Sequence, residues 1–290
     1  SVKAQDTIQT PKLVVMITID QLRSDFLHEF SELYGETGFK RLLKGGRFYS
    51  NGYYAFESID RASALATLTT GTNPYVNGIV ASRWLDRNSL RLVDCTEDLA
   101  CKGINTNEMA SPAKLKAIAL SDEMKRATRG NAIICSIAPD EDVAVLSGGH
   151  AADAVLWKNN STGYWCSSSY YGLYPQWAAD KNKEIRGRSS KWVPLFPVEK
   201  YNHFGEEAPD AFSYSFNGLK KIREYKTTAC INDEINEMAM AYLEASLAGQ
   251  DDIADCLSLT YYAGNYDGQS MDERPVEVQD MYARLDRNIA

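Results

Sequence analysis

The run Leu13-Val-Val-Met-Ile-Thr-Ile-Asp20 constrains this chain more than any other stretch. Seven residues that are apolar or β-branched lead straight into a carboxylate, and a helical pattern starts a few residues later. A strand reads as continuously apolar when both its faces are covered, as in a parallel sheet between helices. Asp20 then stands at the strand's carboxyl end, where open α/β sheets form their ligand crevice. Two roles stay open for it: holding a metal or reacting group, or capping the next helix.

The remaining pattern alternates. Phe26, Leu27, Phe30, Leu33 and Tyr34 recur at helical spacing, and residues 39–43 make a second short helix. Residues 47–54 read as extended, and 57–71 as a helix of small residues packed on the sheet. Ser111-Pro112 opens a helix whose buried face holds Leu115, Ile118, Ala119, Leu120 and Met124. Further strands are predicted over 131–137, 143–147 and 255–262, and amphipathic helices over 227–247 and 276–290. Residues 159–210, polar and aromatic, read as an inserted cap over the functional edge. Residues 1–11 read as a flexible leader or the remnant of an export signal. Residues 12–290 form one α/β domain with a mostly parallel central sheet and helices on both faces. The last helix has no stop signal, so the chain is expected to be incomplete at its C-terminus.

Composition narrows the functional classes. A formal net charge of −8 argues against nucleic-acid binding, which needs a basic surface to release phosphate counterions. No apolar run approaches the roughly 20 residues of a membrane helix. The amino-terminal stretch predicts an exported protein, periplasmic or associated with the outer membrane. Cys95 and Cys101 flank a short polar loop and could close it in an oxidising compartment; the six cysteines show no CxxC spacing for zinc. Asp140, Glu141 and Asp142 read as a solvated acidic turn. Only three histidines occur: His28 on a helix face, His150 in the core, and His203 in the cap.

Four stretches share a resemblance: Ile19-Asp20-Gln21; residues 64–79 with Trp84; Gly149-His-Ala-Ala-Asp153 with Trp157; and residues 276–286. Together they resemble the alkaline-phosphatase superfamily, within it the type I phosphodiesterase/nucleotide pyrophosphatase-like and Pho-independent alkaline phosphatases of Bacteroidetes. The resemblance implies two zinc ions above the sheet and a metal-activated Thr or Ser at a helix N-terminus. It also implies several departures. Arg61 falls at the nucleophile position, and Ser82 where relatives hold a phosphate oxygen with asparagine. Tyr261 and Asn265 replace an aspartate and a histidine ligand. Carboxylates stand near 137–142, where a Lys-x-Arg clamp is expected. The remaining ligands would lie beyond residue 290, leaving Asp20 as a remnant.

These departures imply a phosphatase-fold pseudoenzyme of the bacterial envelope, a binding or assembly component with no cofactor, whose partner is an envelope protein or an anionic small molecule. Arg61, Ser82 and Arg83 are its candidate anion-binding residues. The alternative is a divergent metal-dependent phosphomonoesterase or phosphodiesterase, using zinc and completed by residues beyond this chain.

Overall fold

The computed structural model describes residues 10–186, 188–205, 207–217 and 221–290, so nearly all of the expected leader lies outside the described residues. The chain runs β1 (Leu13–Asp20), α1 (Phe26–Glu29), α2 (Phe39–Gly45), α3 (Arg61–Thr70), α4 (Pro74–Asn77), β2 (Arg83–Asp86), β3 (Arg91–Asp94), β4 (Gly103–Ile104) and α5 (Leu120–Ala127). It continues through β5 (Ile134–Ala138), α6 (Glu141–Gly148), β6 (Ala154–Lys158), β7 (Trp165–Ser168), α7 (Gln176–Arg186), β8 (Ser189–Trp192) and β9 (Tyr214–Asn217). It closes with α8 (Ile222–Tyr225), α9 (Ala229–Ala245), β10 (Asp255–Tyr262) and α10 (Val276–Ile289).

Six strands form the main sheet in the order β1-β10-β5-β6-β7-β4. β1, β10, β5 and β6 pair in parallel, and β7 and β4 join antiparallel. This is the expected α/β architecture. β10 is buried at every position. On one face Leu257, Leu259 and Tyr261 meet Ile231, Ile235 and Met238 of α9 and Val278 of α10. Beyond it, Leu65 of α3 packs with Val143 and Leu146 of α6 against Val155 and Trp157 of β6. Each such side chain contributes about 1.5–3 kcal/mol by leaving water.

Several local expectations are corrected. Residues 143–147, read as a strand, lie in α6, because a short apolar run buried all round looks the same in either conformation. Residues 47–54, read as extended, form no strand and are irregular apart from a turn at Ser50 and Asn51. The helix expected from Ser111 begins only at Leu120; the Ser111 hydroxyl instead accepts from Ala113 N and donates to the Asp98 carboxylate, holding a turn. The insertion 159–210 is partly body: β7 extends the main sheet, and α7 packs on α9. All six cysteines are free thiols, and Cys101 points at Asp98, not Cys95.

α10 locks the layers together. The Asp286 carboxylate accepts from Gly35 N, in the turn before α2, at 2.8 Å and from Phe39 N, an orphan amide of the first turn of α2, at 2.7 Å. Gly38 lies so close that a β-carbon there would meet Asp286 oxygens.

Candidate functional site

Three elements converge at the carboxyl edge of the sheet. β1 ends on Asp20; β5 ends at Ala138 and is followed by Pro139 and Asp140, where α6 begins; α3 starts at Arg61. Arg61 is aimed by the cap before it. The Asp60 carboxylate accepts from Ser63 N at 2.9 Å while the Ser63 hydroxyl accepts from Asp60 N at 3.0 Å, a reciprocal capping box. The other Asp60 oxygen accepts from Ser82 N at 2.5 Å, tying the β2–β3 hairpin to the same helix end.

From that position the guanidinium forks between two carboxylates. Nη1 donates to Asp140 Oδ2 at 2.8 Å; Nη2 donates to Asp142 Oδ1 and Oδ2 at 2.8 and 3.0 Å. Asp20 Oδ2 stands 3.9 Å from Nη1. Lys226, between α8 and α9, donates to Asp140 Oδ1 at 2.9 Å. Three carboxylates thus face two cations in a half-buried cluster.

Burial pushes the Asp20 and Asp142 carboxyls up, opposed by Arg61 and reinforced by neighbouring aspartates. Burial acts on Asp140 too, but Lys226 and Arg61 overcome it and hold that carboxyl below the usual range. Burial works to lower the Arg61 guanidinium, and Asp142 and Asp140 raise it nonetheless. The solvated-turn reading of 140–142 is therefore corrected: Asp140 and Asp142 are ion-paired.

A cleft of about 460 Å³ opens beside the cluster, lined among others by Arg61, Ser82, Arg83, Glu108, Glu141 and Lys226. Arg83 Nε donates to Asp94 Oδ1 at 2.7 Å from a largely exposed side chain. Trp157 Nε1 donates to Glu108 at 2.6 Å. Glu141 contacts the Thr96 hydroxyl, and burial pushes its carboxyl up to about 7. Arg61, Ser82 and Arg83 do border one cleft, yet the two guanidinium groups face carboxylates.

The expected ligand positions do not converge. The Tyr261 hydroxyl points into the core and donates to Asn236 of α9. Asn265 Nδ2 donates to Gln269 O at 2.7 Å, and its carbonyl accepts from the Tyr262 hydroxyl at 2.8 Å. The histidines lie elsewhere. His28 is exposed; His150 Nδ1 lies 2.8 Å from Asp122 with Nε2 2.9 Å from Leu115 O; and His203 Nε2 lies 2.7 Å from Val198 O. Among the described residues no three His, Cys, Asp or Glu side chains are grouped to hold a metal. A guanidinium fixed beside Asp20 and paired to Asp140 and Asp142 does not fit a zinc pair.

Sequence reasoning missed Lys226 and undervalued Asp140 and Asp142. The signal for the aspartates was the one that marked Asp20, a buried parallel strand running into a carboxylate. Nothing in the sequence around Lys226 separates it from a surface lysine.

The type I phosphodiesterase/nucleotide pyrophosphatase family model matches residues 14–290. The chain belongs to that family, within the alkaline-phosphatase superfamily. It is 31% identical to the alkaline phosphatase PhoV of Synechococcus elongatus, over 98% of this chain and 55% of that protein. It is 28% identical to the alkaline phosphatase PafA of Elizabethkingia meningoseptica, over 98% of this chain and 56% of the relative. The wild-type PafA crystal structure superposes with a TM-score of 0.83 at 26% identity, covering 98% of this chain and 59% of that one. A solved PafA variant carries substitutions at a threonine and an asparagine twenty-one positions apart and at a lysine and an arginine two positions apart. The chain spans little more than half the length of these relatives.

Proposed function

We propose that this chain is a phosphatase-fold protein that does not hydrolyse phosphate esters and serves as a binding or assembly component of the cell envelope. The observation that carries the reading is the Arg61 fork onto Asp140 and Asp142. Arg61 and Ser82 have the spacing of the threonine and asparagine replaced in the PafA variant, and Asp140 and Asp142 that of its lysine and arginine. At the first position a hydroxyl that can ionise onto a metal becomes a permanently charged guanidinium. At the last two, cations suited to a phosphate dianion become carboxylates that repel it.

The same geometry weighs against Arg61 as the anchor of an anion site. Both terminal nitrogens of Arg61 are committed and Ser82 N is held by Asp60, whereas Arg83 gives only its Nε to Asp94. The site has exchanged a charge pattern that invites phosphate for one that satisfies itself.

Zinc analysis of protein purified without chelators, with p-nitrophenyl phosphate and bis-p-nitrophenyl phosphate assays, tests this. The expected result is no stoichiometric zinc and no turnover above background. Stoichiometric zinc with EDTA-sensitive turnover would overturn it and favour the divergent hydrolase.

A further inference from the structure

The stretch Gly149-His-Ala-Ala-Asp153 lies in the turn between α6 and β6 and takes no part in the Arg61 cluster. One carboxylate fixes its backbone. Asp122, in the first turn of α5, accepts on Oδ1 from His150 N at 2.6 Å and Ala151 N at 2.8 Å, and on Oδ2 from Ala119 N at 3.0 Å. Gly149 permits the approach: its φ is +70°, and a β-carbon there would stand 2.8 Å from Asp122 Oδ1 and from the Ser121 hydroxyl. The Tyr170 and Tyr171 hydroxyls donate to the His150 and Gly149 carbonyls, both at 3.1 Å.

The His150 ring is thereby set between two acceptors. Nδ1 lies 2.8 Å from Asp122 Oδ2, and Nε2 lies 2.9 Å from the Leu115 carbonyl. A carbonyl can only accept. Asp122 is ionised: burial acts to raise its carboxyl, but bonds from His150, Ala119 and Ala151 hold it below the usual range. A neutral imidazole carries one N–H and cannot serve both partners, whereas the imidazolium carries two. The Asp122 hydrogen bond raises the ring above its ordinary value against the opposing effect of burial. Among the described residues no other group donates to the Leu115 carbonyl. Asp122 of α5 is the charge that touches the ring. Tyr170 reaches only the main chain of His150, and Asp153 of the same turn is paired with Lys125 at 2.8 Å. Of the lysines flanking Leu115, Lys114 donates to Glu97 O and Lys116 carries its stem beside Gly78.

We propose that His150 is a pH-sensitive clasp: as the imidazolium it locks residues 112–119 onto the α6–β6 turn, and loss of its proton releases the Leu115 carbonyl while the Asp122 bond remains. The neutral ring keeps its one N–H on the carboxylate, the stronger acceptor, and turns a lone pair towards the Leu115 oxygen. The turn itself stays in place, because Asp122 and the two tyrosines hold its main chain. The released segment supports the helix that carries Arg61. Leu115 packs with Ala62 and Leu65 of α3, and Lys116 N donates to Asn77 O of α4 at 2.8 Å. A group whose folded value is raised stabilises fully below its ordinary value, about 6.5, and loses that contribution as pH rises through the folded value. The inference is independent of the non-hydrolytic reading, since it uses no residue of the Arg61 cluster.

Two measurements from about pH 5.5 to about pH 9 test it: NMR titration of the His150 ring, and hydrogen exchange at Lys116 N corrected for intrinsic rates. The ring midpoint is expected above 6.5. Opening at Lys116 should rise by up to about tenfold per pH unit between 6.5 and that midpoint, then level off. Leu257 of β10, which reports global unfolding, should change less. His150→Gln should exchange fast at Lys116 throughout, with no pH dependence. A midpoint at or below 6.5 overturns the proposal, and that titration needs no variant. Equal changes at Lys116 and Leu257 also overturn it, by assigning the effect to global unfolding. So does a pH dependence that persists in His150→Gln.

Discussion

At the scale of single residues, the cluster is asymmetric in what its members can lose. Removing Arg61 leaves Asp20 and Asp142 without a paired cation and Asp140 with only Lys226. Leaving buried charge uncompensated costs more than the pair contributes. The guanidinium is 36% exposed, which moderates the effect, so Arg61→Ala should destabilise by about 1–3 kcal/mol. Chemical denaturation measures it; a neutral variant would mean that solvent already screens the fork.

Glu141 gives a second test at this scale. Its carboxyl is raised from 4.5 to about 7 in the folded protein, so between those values the folded state holds more protons than the unfolded one. Stability from this group is full below about 4.5 and falls as pH rises through about 7. Asp20 and Asp142 act in the same direction, and Asp140 in the opposite one. Glu141→Gln should flatten the decline of unfolding free energy between pH 5 and pH 7; an unchanged slope would assign the decline elsewhere.

At the scale of elements, sequence reading succeeded where period and burial point to one answer. β1, β10, α9 and α10 were legible because an apolar strand run or a long amphipathic period has few alternatives. α6 was not, because its buried residues 143–148 show no polar face to reveal a helical period. Asp20 and Arg61 were legible from the sequence as positions, and their environment was not: the pairing of Arg61 with Asp140 spans seventy-nine residues. The capping box at Asp60 shows how local chemistry sets that long-range contact. Asp60→Ala removes a cap worth about 1 kcal/mol and also frees Ser82 N. It should therefore cost more than a simple cap, about 2 kcal/mol, and speed hydrogen exchange at Ser82. A loss confined to α3 would show that the hairpin is held by other contacts.

At the scale of the whole molecule, the question is how the insertion is joined to the body. The sequence suggested a cap; the structure ties it down through one carboxylate. Asp280 of α10, fully buried, accepts from Trp192 Nε1, Leu195 N and the Tyr201 hydroxyl, each at 2.6 Å, and from Arg284 Nε at 2.8 Å. Three of those donors belong to the insertion, so Asp280→Ala leaves them unsatisfied beside the core. The β8–β9 pair is a separate two-stranded sheet with no ladder to β1 or β10, and a pair of that size is marginal alone. Residues 189–201 should therefore lose exchange protection first in Asp280→Ala, while β10 keeps most of its own. Simultaneous loss in both would show that insertion and sheet unfold as one unit, with α10 transmitting the damage through Met281 and Tyr282 into the main core.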